Sequence, residues 1–165
     1  MQPLLYSIIK KESLHELLET FYQCINLPVQ VLDENGEILD QFGEAHSYCK
    51  IFKRFLPKSE SCTKIHSDAS RLAMTFGETY IFSCHSNLNH IVFPLTNNNT
   101  LLGSILAGPF IMDAPDSLLL SDIARNFSHH LTLEETANQF KAFYFFRITL
   151  QFHSSSVPPL HRASD

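Results

Sequence analysis

The 165-residue chain predicts an α+β fold, in which a five-stranded antiparallel sheet carries a helical insert and flanking helices. Two observations support this prediction. The N-terminal part shows a helical pattern followed by a hairpin pattern, and a later part shows three strand-like runs separated by short polar turns. The segment between them has helical rather than strand periodicity. Strands joined by such short turns pair antiparallel, so we expect one antiparallel sheet interrupted by a helical insert.

The first two elements are a helix and a β-hairpin. Ser13 opens the segment "SLHELLETFYQCI" and Glu16 follows three residues later, which is the spacing of a helix-capping box. The apolar residues of this segment recur with helical period: Leu14, Leu17, Leu18, Phe21 and Ile25. In "LPVQVLDENGEILDQFG" apolar and polar residues alternate, and Asn35-Gly36 supplies turn chemistry, which predicts a hairpin.

The insert and the second group of strands follow. "SYCKIFKRFL" predicts a short aromatic helix up to Pro57, and "SESCTKIHSDASRLAMTFG" predicts a helix ending at Gly77. The predicted buried stripe of that second helix is Cys62, Ile65, Ala69, Leu72, Ala73 and Phe76. Three strand candidates come next, "TYIFSCH", "HIVFPL" and "TLLGSILAGPF", and "TNNN" suits a hairpin turn between the last two. Helices are then predicted over 114–127 and 133–152, an order typical of PAS and GAF domains.

Composition limits the function classes. A formal net charge of -5 argues against this chain binding nucleic acid by itself. No apolar run is long enough to cross a bilayer, and in "MQPLLYSIIKKESL" the charges follow the apolar stretch, the reverse of a secretory signal. We therefore expect a cytoplasmic protein whose four cysteines are reduced thiols.

One domain over residues 1–152 is expected, followed by a polar, proline-containing linker over 153–165 that leads toward a missing output domain. The predicted helix 133–152 is apolar around most of its circumference, so it either wraps into the core or forms a homodimer seam. The expected assembly is a two-fold dimer through this helix, which would also couple the domain to its output.

Cys84 and His85 stand side by side at the end of a predicted buried strand, in "FSCHSNLNHIVFPL". They could pack, react, bind a metal or line a pocket. We interpret them as one wall of an interior cavity between sheet and helices, with His85 as its polar anchor. The predicted ligand-binding residues are Cys49, Phe52, Cys62, Tyr80, Phe82, Cys84, His85, Phe93 and Gly108.

Two other chemistries are possible for these residues. A zinc or iron site could use Cys49, Cys62, Cys84 and His85, with His66 as a substitute fourth ligand, although the chain has no Cys-x-x-Cys knuckle. Catalysis by a Cys84–His85 pair is disfavoured because neighbours on a strand point to opposite faces. The chain also has no Gly-rich phosphate loop and no nucleophile elbow. The sequence therefore predicts a protein that is not an enzyme and needs no cofactor.

Several motifs, taken in order, resemble the PocR sensory domain. They are Cys49, Cys62 in a helix containing "DASRLAMTFGE", then "YIFSCHSNL" with "FPL", and "LLGSILAGPF", within Leu14 to Phe110. One departure is Asn87, where the family usually has glycine. The resemblance implies a PAS-like sensor of small organic molecules such as short diols and simple hydrocarbon derivatives. Such domains stand at the N-terminus of AraC-type transcription regulators or in sensor kinases, where DNA is bound only through a downstream domain. The alternative function is a cysteine/histidine metal or redox sensor.

Overall fold

Five antiparallel strands form the centre of the fold in the computed structural model, which describes residues 3–44, 49–50, 61–86 and 88–111. The strands are β1 (Val29–Asp33), β2 (Ile38–Phe42), β3 (Tyr80–Ser83), β4 (Asn89–Asn97) and β5 (Thr100–Phe110). Their order across the sheet is β2-β1-β5-β4-β3. The predicted five-stranded antiparallel sheet of an α+β fold is therefore confirmed.

Two tight hairpins set the register of the sheet. Gly36, at a φ of 86°, lets the β1–β2 turn close, and its N–H donates to the Asp33 carbonyl at 3.1 Å. One Asp33 carboxylate oxygen also accepts from the Asn35 and Glu37 N–H groups, at 2.8 Å each. The β4–β5 turn uses Asn98 and Asn99, both with positive φ, a conformation that asparagine tolerates better than most residues. Both hairpins agree with their sequence predictions.

Helix α1 (Lys11–Ile25) and the 3₁₀ turn Leu4–Ser7 cover one face of the sheet. Leu14 and Leu18 are buried there in a cluster with the apolar side chains of β1 and β5. The predicted cap at Ser13 is wrong, because the helix begins at Lys11 after Lys10, without a side-chain cap bond. It ends at Asn26, whose left-handed backbone donates its N–H to the Tyr22 carbonyl.

Helix α2 (Cys62–Phe76) packs on the opposite face, against β3, β4 and β5. Its N-cap is Ser61, whose hydroxyl accepts from the Lys64 N–H at 3.2 Å, and it ends as predicted at Gly77 in the left-handed conformation. Within the described part of the chain, neither helix is long and apolar enough to cross a membrane. Most of the predicted helix before Pro57 and both predicted C-terminal helices lie outside the described residues.

The α2 face of the sheet contains an irregularity that positions a histidine. Asn89 pairs with Phe110 and Ile91 with Ala107, so Gly108 and Pro109 of β5 together oppose His90 of β4. Two residues opposite one is a β-bulge, which interrupts the ladder and re-aims nearby side chains. Bulges of this kind recur beside binding sites, and this one lies next to the most buried imidazole of the described chain.

A candidate ligand site built on His90

The candidate site begins with the register of β3 and β4. Tyr80 pairs with Val92, and Phe82 pairs with His90. Residues that are paired directly across an antiparallel ladder project from the same face of the sheet. Tyr80, Phe82, His90 and Val92 therefore all project from the face that α2 covers.

Small residues on α2 let this helix approach the sheet closely. Its buried positions are His66, Ser67, Ala69, Ser70 and Ala73. Ala69 and Ala73 contact Leu32, Val92 and Leu106 in the apolar part of the interface. The predicted stripe is partly wrong, because Leu72 and Phe76 are 43% and 58% exposed while two serines and a histidine face the sheet.

Aromatic rings surround the buried imidazole of His90. The Phe82 ring stacks on it at 5.4 Å between centroids, with 18° between the ring planes. The His66 ring lies 5.5 Å from the same imidazole, and Tyr80 stacks on Phe82 at 6.4 Å. These four rings form a continuous group between β3, β4 and α2, which we call the His90 cluster.

His90 is 6% exposed, and its Nδ1 atom has no hydrogen-bond partner within the described residues. Burial disfavours the charged imidazolium, and the neighbouring His66 disfavours it further, so the pKa of His90 falls from 6.5 to about 3. The ring is therefore neutral at physiological pH. A neutral imidazole offers one donor and one acceptor nitrogen, and a buried nitrogen left unpaired costs about 1–3 kcal/mol.

Gly108 packs closely against this nitrogen. A Cβ atom at this position would lie 3.0 Å from His90 Nδ1 and 2.9 Å from the Asn89 carbonyl oxygen. Its φ of 131° is also one that residues with a side chain rarely adopt. The bulge therefore requires a residue without a side chain next to the unpartnered His90 nitrogen.

A serine pair ties α2 to the central strand β5 beside the cluster. The Ser70 hydroxyl donates to the His66 carbonyl at 2.8 Å, and its oxygen lies 2.8 Å from that of Ser104. Because the Ser70 proton is used on the carbonyl, Ser104 donates to Ser70. The Ser70 hydroxyl therefore links the backbone at His66 to Ser104 of β5 within the core.

The structure brings three of the predicted site residues together at His90: Tyr80, Phe82 and Gly108. Phe93 instead projects from the opposite face and is 40% exposed, since it follows Val92 on β4. Phe52 lies outside the described residues.

The cysteines and His85 occupy more peripheral positions. Strand β3 ends at Ser83, so Cys84 and His85 lie in the connection to β4, and both are partly exposed. The Cys84 N–H closes this connection by donating to the Leu88 carbonyl at 2.9 Å. Cys62 is the first residue of α2, and Cys49 and Cys62 are both partly buried. Within the described ranges, no three His, Cys, Asp or Glu side chains are grouped so that they could hold a metal ion.

The residues predicted from the sequence do not include His90, the central polar group, and they include His66 only as an alternative metal ligand. One signal was present in the sequence. In "NHIVFPL" His90 alternates with Val92, a position that a half-buried strand turns toward its core. A histidine at such a position must be hydrogen-bonded or available to a ligand.

The comparisons with known proteins bear on this geometry. A family model described as the sensory domain found in PocR matches residues 7–147. Comparison with curated proteins and with solved structures gave no match. The matched range includes the whole described sheet, both described helices and the His90 cluster, and it spans most of the chain. The chain therefore belongs to the PocR sensory-domain family.

Proposed function

We propose that this chain senses a small, uncharged organic molecule, which binds at the His90 cluster and donates to or accepts from His90 Nδ1. The observation that carries the proposal is the buried, unpartnered nitrogen beside the Gly108 bulge. Membership of a sensory-domain family indicates a small-molecule ligand and a non-catalytic role. The cluster supplies aromatic walls and one directed polar group, a composition typical of small-ligand sites.

The neutral imidazole favours an uncharged ligand. A carboxylate or ammonium group brought next to His90 would lose its hydration, and the imidazole would supply no opposite charge because its pKa is about 3. A hydroxyl group, in contrast, needs only the hydrogen bond that Nδ1 can make. Short diols and related simple alcohols, the ligand class that the family resemblance implies, meet this requirement.

Binding to short diols can be tested by calorimetry and thermal shift on the wild type and two variants. His90→Phe keeps an aromatic ring and removes the nitrogen, so the dissociation constant should rise about tenfold for the loss of one hydrogen bond. His85→Ala, which removes the histidine favoured by the sequence alone, is the matched control and should bind as the wild type does. Equal binding by His90→Phe and the wild type, or loss of binding only in His85→Ala, would refute the His90 site.

We also propose that this domain is the sensory part of an AraC-type transcription regulator in the cytoplasm. The domain would comprise residues 1–152, with 153–165 linking it to a DNA-binding output domain, and DNA would be bound only through that domain. Support comes from the family resemblance and from the acidic net charge of -5. The gene region after Asp165 should encode a helix-turn-helix output, and a different output there would remove this part of the proposal.

Homodimerisation through residues 133–152 belongs to the same proposal and rests on the apolar sequence of that segment. The polar double variant Phe143→Ser, Phe146→Ser should be a monomer in light scattering at tens of micromolar protein while still binding the diol. A wild-type protein that is already monomeric under these conditions would exclude the dimer.

A further inference from the structure

The face of the sheet opposite His90 has an apolar groove, which we call the β4 groove. It is lined by Leu17, Leu18 and Phe21 of α1, Val29 of β1, and Phe93 and Ile105 of the adjacent strands β4 and β5. Its volume is about 230 Å³. Leu17 is 64% exposed and Phe93 40% exposed, on opposite walls of the groove. Two large apolar side chains so placed indicate a surface that another element covers.

The side of α1 that borders the groove is uncharged. Ser13, Leu17, Thr20 and Cys24 follow one another at helical spacing along that side, and all four are exposed. The acidic residues of the helix, Glu12, Glu16 and Glu19, lie toward its outer side. A second helix could therefore lie along this uncharged stripe without burying a carboxylate.

We propose that residues 138–152 of the same chain occupy the β4 groove. In this segment, "NQFKAFYFFRITLQF", Phe140, Tyr144 and Ile148 recur at helical spacing and would enter the groove, which leaves Phe143 and Phe146 for the proposed dimer seam. The chain leaves β5 at Phe110, which is packed in the same core cluster as Leu18 and Val29, two of the residues that line the groove. This inference holds whatever ligand His90 binds.

Charge complementarity favours this occupant over a second copy of the α1 face. The segment carries two charges, Lys141 and Arg147, and both are basic. The adjoining helix α1 presents Glu12, Glu16 and Glu19 to solvent. Two α1 faces placed together would bring like charges close, whereas the basic segment would bring opposite charges close.

Limited trypsinolysis followed by mass spectrometry tests the proposal, because Lys141 and Arg147 are tryptic sites within the segment. Arg162, in the predicted linker, serves as the reference site in the same chain. In the wild type, cleavage after Lys141 and Arg147 should be at least about tenfold slower than after Arg162, since docked backbone is cleaved only after it opens. Leu17→Glu and Phe93→Thr, one from each wall, should each raise cleavage at the two sites toward the rate at Arg162.

Leu72→Glu is the matched control, since Leu72 is a similarly exposed leucine on α2, on the other side of the sheet. It should leave the cleavage pattern unchanged, and circular dichroism should show all three variants folded. Rapid wild-type cleavage after Lys141 and Arg147 would overturn the proposal, as would wild-type protection in both groove variants. Protection that disappears on tenfold dilution would identify a second copy as the occupant and would overturn it too.

Discussion

The two faces of the sheet are built from the same strands but differ in chemistry. On the α2 face, the buried residues include His66, His90, Ser70 and Ser104 among aliphatic side chains. On the α1 face, the buried cluster consists of aliphatic and aromatic side chains, from Leu5 to Phe110. Because β4 alternates between the faces, one strand supplies both His90 to the polar side and Phe93 to the apolar side. In this sheet, the face from which a residue projects decides its role more than its position in the chain does.

The largest expected difference between the two faces is the pH dependence of folding stability that His90 causes. The pKa of His90 in the folded protein is about 3, below its ordinary value of 6.5. Between these two pH values, the imidazole is protonated in the unfolded chain and neutral in the folded protein. The stabilisation is complete above pH 6.5 and is lost as the pH falls from there toward 3. Its slope is at most about 1.4 kcal/mol per pH unit in the free energy of unfolding.

Urea denaturation between pH 3.5 and 7.5 measures this slope. Carboxylates also titrate in this range, so the wild type is compared with His90→Phe, which lacks only the imidazole. As the pH falls, the free energy of unfolding of the wild type should decrease more steeply than that of His90→Phe. Parallel curves would mean that His90 is not buried as a neutral base. At pH 7, His90→Phe should equal or exceed the wild type in stability, because the unpaired nitrogen is gone.

A smaller effect is expected from the buried serine pair. Ser70→Ala leaves the fully buried Ser104 hydroxyl without its partner and should cost about 1–3 kcal/mol. Ser104→Ala leaves Ser70 bonded to the His66 carbonyl and should cost less, about 1 kcal/mol. Chemical denaturation of both variants and of Ser13→Ala, an exposed control on α1, checks the order. Equal costs for Ser70→Ala and Ser104→Ala would contradict the assigned direction of the hydrogen bonds.

The smallest effect is expected on the α1 side, where His15 Nδ1 lies 2.7 Å from an Asp40 carboxylate oxygen. This hydrogen bond raises the pKa of His15, opposite in direction to the shift of His90. Nearby Glu19 raises it further, whereas burial and Lys11 lower it. The pairing stabilises the fold fully below pH 6.5 and is lost as the pH rises through the elevated pKa.

Titration of His15 by NMR, in the wild type and in Asp40→Asn, measures this shift directly. The wild-type pKa should lie above 6.5 and should fall in the variant, because the carboxylate that holds the proton is removed. Glu37→Gln, which changes an exposed carboxylate outside this pair, is the control. An unchanged His15 pKa in Asp40→Asn would show that the pair does not form in solution.

Backbone features with strong local chemistry could be predicted from the sequence. Asn35-Gly36 and Asn98-Asn99 specified the two hairpins, and Gly77 specified the end of α2. The family resemblance was also confirmed. These features succeed because each depends on a few neighbouring residues with distinctive backbone preferences.

The buried side of α2 could not be predicted because it depends on tertiary pairing. Hydrophobic periodicity predicts Leu72 and Phe76 within a buried stripe that includes no serine. In the structure Ser70 bonds to Ser104 and to a carbonyl, so its burial costs little, and its small size lets the helix approach the sheet. The sequence prediction favours His85 because it stands beside Cys84 at the end of a predicted buried strand, whereas the β3–β4 register pairs His90 with Phe82 on the α2 face. The predicted roles of Cys49, Phe52, Cys62, Cys84 and His85 stay predictions.

The Gly108 bulge has a consequence for affinity measurements. It interrupts the β4–β5 ladder at His90, three residues before Phe93, so β4 can adjust its twist there more easily than where pairing is continuous. If a ligand at His90 shifts that twist, it changes how well the β4 groove holds its occupant, and by thermodynamic reciprocity the occupant changes ligand affinity by the same factor. A protein shortened before residue 138 should then report a different dissociation constant from the full chain, although every residue of the His90 cluster is intact.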